Sequence, residues 1–181
     1  MVLLKNSGML GMQMPHFELT DVNNRPYRSH DESAEVLVVM FICGHCPYVN
    51  AIENRLSELD HHFNKQSVKL LGICSNDPID YPEDSREALK QRVIDLGIPF
   101  TYLVDESQEV ARAFGAVCTP DLFVFDKSRV LRYHGELDDN WKDETAVTKQ
   151  PLKEAIKLLL SGTLPSENQV PTMGCSIKWK N

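Results

Sequence analysis

The chain has 181 residues, 42% of them apolar and 25% charged, with a formal net charge of -7 at pH 7. That length suits one domain with a substantial core, and the composition excludes a disordered or fibrous chain. The negative balance argues against nucleic acid or an anionic membrane surface as partner.

The first residues, Met1-Val-Leu-Leu-Lys-Asn-Ser-Gly-Met-Leu10, are too short and interrupted for a signal peptide. Phe17 to Thr20, followed by the turn-forming Asp21-Val-Asn-Asn-Arg-Pro26, predicts a short hairpin within an N-terminal extension of residues 1–35. Val36 to Ile42 is continuously apolar and β-branched, as a strand covered on both faces should be. It is far short of the ~20 apolar residues of a membrane helix. From Pro47 to about Lys65, Val49, Ile52, Leu56, Leu59 and Phe63 recur at spacings of three and four, which predicts a helix.

Val68 to Ser75 reads as a second buried strand. A polar loop follows, then a helix from an Asp84-Ser85 cap to Leu96, stopped by Gly97-Ile-Pro99. Phe100 to Val104 is a further strand, and Ser107 to Phe114 a short helix closed by Gly115. Leu122–Phe125 and Val130–Tyr133 pair across the Asp126–Arg129 turn, and Leu152–Leu160 forms an amphipathic helix. The tail from 163 to 181 shows no period. Alternating strands and helices imply parallel pairing, and the late hairpin adds antiparallel strands. The expected architecture is α/β in a single domain of residues 1–181: a mixed central sheet flanked by helices, with an N-terminal β-hairpin.

Five cysteines, at 43, 46, 74, 118 and 175, are too irregular and odd in number for a disulfide framework. With no signal-peptide pattern at the start and no membrane-length apolar run, the protein is expected in the cytoplasm, a reducing compartment. The pair in Cys43-Gly44-His45-Cys46 lies between a strand and a helix start. A helix N-terminus carries roughly half a positive charge and unpaired N–H groups, which favour a thiolate. Cys43 is therefore expected at that end with its sulfur partly exposed, attacking a substrate disulfide, and Cys46 deeper, resolving the mixed disulfide. Gly44 leaves the approach open, and His45 is expected to stabilise the Cys43 thiolate. A structural zinc site normally needs four ligands. Cys74, Cys118, Cys175, His61 and His62 supply no second close pair, so no metal or cofactor is expected.

Taken with Thr119-Pro120 before Leu122–Phe125, the dithiol resembles the thioredoxin-like superfamily. Within it, the closer likeness is to the redoxin branch related to the alkyl hydroperoxide reductase/thiol-specific-antioxidant proteins. Segments 75–77, 81–85 and 174–179 resemble small bacterial redoxins with a CxxC. The resemblance implies a thioredoxin-like fold, and a cis Pro120 facing the dithiol so that the Thr119 backbone can pair with a substrate strand. It implies catalytic roles for Cys43, Cys46, His45, Thr119 and Pro120, protein or small-molecule disulfide substrates, and a thiol electron donor. Cys-Gly-His-Cys also occurs in protein disulfide isomerases, at about -180 mV against about -270 mV for thioredoxin, which implies a mildly oxidising bias.

Two positions depart from the standard patterns. The peroxiredoxin motif Pro-x-x-x-Thr-x-x-Cys, set on Cys46, meets Val39 and Cys43 in place of Pro and Thr, so an antioxidant thiol peroxidase is the alternative activity. Where thioredoxins keep a buried carboxylate stands Leu37, with Asp121 and His45 as the nearest substitutes. Cys74 reads as core, and Cys118, two residues before Pro120, has two readings, an alternative disulfide partner for Cys43 or a small buried residue ending a strand, the second preferred. Cys175 has two readings, a resolving thiol or a passenger of a tail docked through Ile177 and Trp179, and docking is preferred.

Overall fold

The computed structural model describes residues 2–3 and 9–180. The parts of the expected N-terminal extension and tail at residues 1, 4–8 and 181 lie outside the described residues. In chain order the strands are β1 (Val2–Leu3), β2 (Glu18–Asp21), β3 (Pro26–Arg28), β4 (Val36–Phe41), β5 (Val68–Cys74), β6 (Thr101–Val104), β7 (Cys118–Thr119), β8 (Asp121–Phe125), β9 (Leu131–His134) and β10 (Met173–Ser176). The helices are α1 (Pro47–Phe63), α2 (Arg86–Leu96), α3 (Glu109–Phe114) and α4 (Pro151–Leu160). Among the described residues, no helix is long and apolar enough to cross a membrane.

The central sheet has seven strands in the order β3-β2-β6-β5-β4-β8-β9. β4 runs parallel to β5, and β5 to β6, while β8 joins β4 antiparallel with Phe41 opposite Asp121. The expected hairpins form as β2–β3 and β8–β9, and β2 also pairs antiparallel with β6.

All six residues of β4 are buried, and its two-residue period divides them between two cores. Val36, Val38 and Met40 pack with Val49, Ile52 and Leu56 of α1 and with Leu152 and Ile156 of α4. Leu37, Val39 and Phe41 face a second core of Phe17, Phe114, Phe123 and Phe125. Phe114 of α3 sits at the middle of that second core, edge-on to Phe17, Phe41, Phe123 and Phe125. A continuous apolar strand is stable only when covered on both faces, and here it is.

Two elements differ from the sequence expectation. The helix predicted from Ser107 begins at Glu109, because Gln108 takes a left-handed conformation with φ 63°. The aperiodic tail contains β10, the middle strand of a small antiparallel sheet in the order β1-β10-β7. The C-terminal ends of parallel β4, β5 and β6 open on one side of the main sheet, the usual place for a site in such folds. The small sheet lies against that side, since Thr119 of β7 touches both cysteines of the dithiol.

Candidate active site

β4 ends at Phe41, two residues before Cys43, and α1 starts at Pro47, so the dithiol fills the strand-to-helix turn. Cys46 is the N-cap residue of α1, and Cys43 lies before the helix. This corrects the expectation that Cys43 occupies the helix end. The expected partial exposure of Cys43 is also corrected, because both cysteines have 0% relative exposure. They are part of the core that packs against Tyr48, Trp141 and Cys175.

The Thr119–Pro120 peptide is cis. Thr119 reaches both sulfurs. Its Oγ1 is 3.2 Å from Cys43 Sγ, and its carbonyl oxygen is 3.1 Å from Cys46 Sγ. Thus the structure brings Cys43, Cys46, His45, Thr119 and Pro120 into one site.

Asp84 completes it, and sequence reasoning missed that role. Ser85 alone caps α2, accepting from the Ala88 N–H, while the buried Asp84 side chain turns to the dithiol. Its Oδ1 accepts the Gly44 N–H at 2.6 Å and the His45 N–H at 3.2 Å. Its Oδ2 accepts the Asn76 side-chain amide at 2.7 Å and the His45 ring Nδ1–H at 2.6 Å. Gly44 is required by this approach: a Cβ there would stand 2.5 Å from the Glu83 carbonyl oxygen. The available signal was the polar loop from Asn76 to Asp84, which leaves β5 beside the strand that delivers the dithiol.

The Asp84–His45 bond changes the expected role of the histidine. Nδ1 is 3.7 Å from Cys43 Sγ but 2.6 Å from Asp84, so its proton serves the carboxylate first. The ring also lies against Tyr81, with centroids 4.3 Å apart. His45 therefore offsets the charge of Asp84 more than it stabilises a Cys43 thiolate. Asp121, the expected substitute base, bonds His134 Nε2 at 2.6 Å, and the buried carboxylate in contact with the dithiol loop is Asp84.

The electrostatics divide the two thiols. The hydrogen bond between the cysteines, then burial, then the Asp84 charge hold Cys43 far above the ordinary thiol range. Cys46 is lowered to about 4, first by the Cys43 thiol, and also by the Val49 N–H of α1 and the Cys175 thiol, against the opposing effect of burial. The Thr119 carbonyl can only accept, so it too opposes ionisation of Cys46; the donors outweigh it. Within the pair the shifts run opposite ways and favour ionisation at Cys46 over Cys43, the reverse of the expected order.

The remaining cysteines differ in use. Cys74 and Cys118 are buried, and burial raises both thiols. Cys175 is half-buried on β10, opposite Thr119. The tail is docked as preferred: Ile177 is buried, and the Arg112 guanidinium lies 4.2 Å from the Trp179 ring centre. The Lys178 N–H donates to Asn76 Oδ1, so one asparagine ties the tail to Asp84.

Cys43, His45 and Asp84 each offer one ligand atom within 4.8 Å of the others, a geometry that could hold a metal ion. Both Asp84 oxygens already accept two N–H groups each, and ligation would displace some of these. A cavity of about 390 Å³ opens beside Pro120, lined by Glu136, Asp138, Trp141, Val170 and Met173 among others.

Comparison with known proteins agrees with this geometry. A structure of an uncharacterized conserved protein from Geobacillus kaustophilus superposes with a TM-score of 0.91 and 39% identity, covering 99% of this chain and 97% of that one. A hypothetical protein from Sinorhizobium meliloti gives 0.93 and 35%, covering 99% of each. The thiol-disulfide oxidoreductase ResA of Geobacillus thermodenitrificans is 24% identical over 89% of this chain and 82% of its own length. The fold is thioredoxin-like, as in solved thioredoxin domains of lower identity. Residues 10–134 match the AhpC/TSA family model, and the chain belongs to the AhpC/TSA family of thioredoxin-like redoxins.

Proposed function

We propose that this protein is a thiol–disulfide oxidoreductase working through the Cys43–Cys46 dithiol. One observation carries the reading: Cys43 and Cys46 lie together at the start of α1 with Thr119 of the cis peptide on both sulfurs, and the shift within the pair favours a Cys46 thiolate. Both thiols are buried at rest, so the exchange begins when the site opens to a substrate disulfide: Cys46 attacks it, forms a mixed disulfide and releases one substrate thiolate. The largest cause holding Cys43 up, its bond to Cys46, is then gone. Cys43 loses its proton, attacks the Cys46 sulfur and expels the second thiolate; the Cys43 proton and one from solvent yield two substrate thiols. A thiol donor reverses the steps. Thr119 and the Asp84–His45 pair hold the Cys43 sulfur and its loop in place for this exchange.

The curated relative named a thiol-disulfide oxidoreductase supports this reading, and the odd cysteine count supports a reducing, cytoplasmic setting. The test is reduction of insulin disulfides by wild type, Cys43→Ser and Cys46→Ser. Both variants should lose turnover; equal activity of either variant and wild type overturns the assignment. A peroxidase reading is favoured by the lowered thiol of Cys46, which occupies the peroxidatic position of the family pattern, and opposed by Cys43 where that pattern has a hydroxyl. Hydroperoxide consumption with a thiol donor tests it.

A further inference from the structure

The peptide edge beside the cis proline is already occupied. β10 pairs antiparallel with β7, with Cys175 opposite Thr119 and Ser176 opposite Cys118. This is β-strand addition, the manner in which an extended peptide binds an open strand edge, performed by the chain's own tail. The pairing is close: a Cβ on Gly174 would stand 2.3 Å from the Thr119 carbonyl oxygen, and so only glycine fits. That same oxygen lies 3.1 Å from Cys46 Sγ. Cys175 packs against the core that contains Cys43 and Cys46, and β10 touches α1. Both thiols of the dithiol are sealed, whereas Cys175 retains exposure.

We propose that Cys175 is a third redox thiol, held by β10 on the peptide-pairing edge as a tethered substrate, and that it takes the disulfide from Cys43 by bonding to Cys46. The inference rests on the exchange reading above. In the step, the Cys175 thiolate attacks Cys46 in the Cys43–Cys46 disulfide. A Cys175–Cys46 bond forms, the Cys43–Cys46 bond breaks, and the Cys43 thiolate takes up the proton that Cys175 released. No electrons enter or leave. The disulfide has moved from two sealed sulfurs to one that an outside thiol donor can reach. The pairing also puts Cys175 close enough to Cys46 for each to shift the other's ionisation, Cys46 downward and Cys175 upward.

Non-reducing peptide mapping by mass spectrometry after diamide oxidation tests this. Cys43→Ser should close a Cys46–Cys175 bond, and Cys46→Ser should close about tenfold less Cys43–Cys175 bond. Cys43→Ala serves as a second variant if the serine form melts early. In Cys175→Ser, glutathione should reduce the Cys43–Cys46 disulfide about tenfold more slowly than in wild type. No Cys46–Cys175 bond in either Cys43 variant, or an unchanged glutathione rate, overturns the relay alone. A wild type that closes no Cys43–Cys46 bond overturns the exchange reading instead.

Discussion

Gly174→Ala is a one-methyl test of how the tail closes the site. The new Cβ would lie 2.3 Å from the Thr119 oxygen, 2.7 Å from its carbonyl carbon and 3.1 Å from the Pro120 nitrogen. All three are backbone atoms flanked by the core, so no flexible side chain can give way, and β10 must move off β7. The cost has two parts. Overpacking a tight contact costs about 1–3 kcal/mol, and each ladder hydrogen bond lost around the Cys175–Thr119 and Ser176–Cys118 pairs removes about 0.5–1.5 kcal/mol. A total near 2–4 kcal/mol corresponds to a melting point lower by about 5–15 °C for a chain of this size. Differential scanning calorimetry measures that fall, and per-residue alkylation by mass spectrometry should show Cys46 newly reactive. A variant that melts within about 1 °C of wild type, with Cys46 still protected, refutes the reasoning.

Asp84→Ala strands the Gly44 and His45 N–H groups, the His45 ring and the Asn76 amide. Each orphaned buried group costs about 1–3 kcal/mol, so urea unfolding should show a loss of several kcal/mol, while an exposed acid such as Glu87→Ala changes little. Phe114→Ala empties the middle of the second core and should cost about 3–5 kcal/mol in the same assay. The reduced protein should gain stability as pH rises. Cys46 titrates near ~8.5 unfolded but is held at about 4 in the fold by the Cys43 thiol first and the α1 N–H. Between those values the unfolded chain binds a proton that the native chain lacks, so this stabilisation is complete above the unfolded value and lost as pH falls toward the folded one. Cys43, raised in the fold, alters the balance only above its unfolded value. Urea midpoints of the reduced form should therefore climb between about pH 5 and 8 more steeply than those of the oxidised form; parallel curves would sink the thiolate assignment.

Where each feature was legible depends on what fixes it. β4 needs only six consecutive apolar residues to declare itself, and α1 only its spacing of three and four. The dithiol was legible because its chemistry is written in a tetrapeptide. The order in which the two thiols ionise was not, since it depends on the helix starting one residue after Cys46 and on a carboxylate brought from 38 residues beyond it in the chain. Asp84 reads as a helix cap because it precedes one, and only the approach of Gly44 turns its side chain away. β10 escapes because Met173-Gly-Cys-Ser176 has no alternation to read; its pairing is set by a two-residue partner strand. The burial of Cys43 follows from that same unseen strand and the Asp84 loop.

Cys46 lies between two other thiols and out of reach of bulk solvent. Consider a strong oxidant small enough to enter. The sulfenic acid it leaves on Cys46 meets a neighbouring sulfur before a second oxidant molecule arrives, and condensation to a disulfide competes with the irreversible climb to sulfinic and sulfonic acids. The sealed position thus makes this cysteine repairable, and damage should accumulate first on the half-buried Met9, Met12 and Met173 and on Cys175 rather than at the centre of the site.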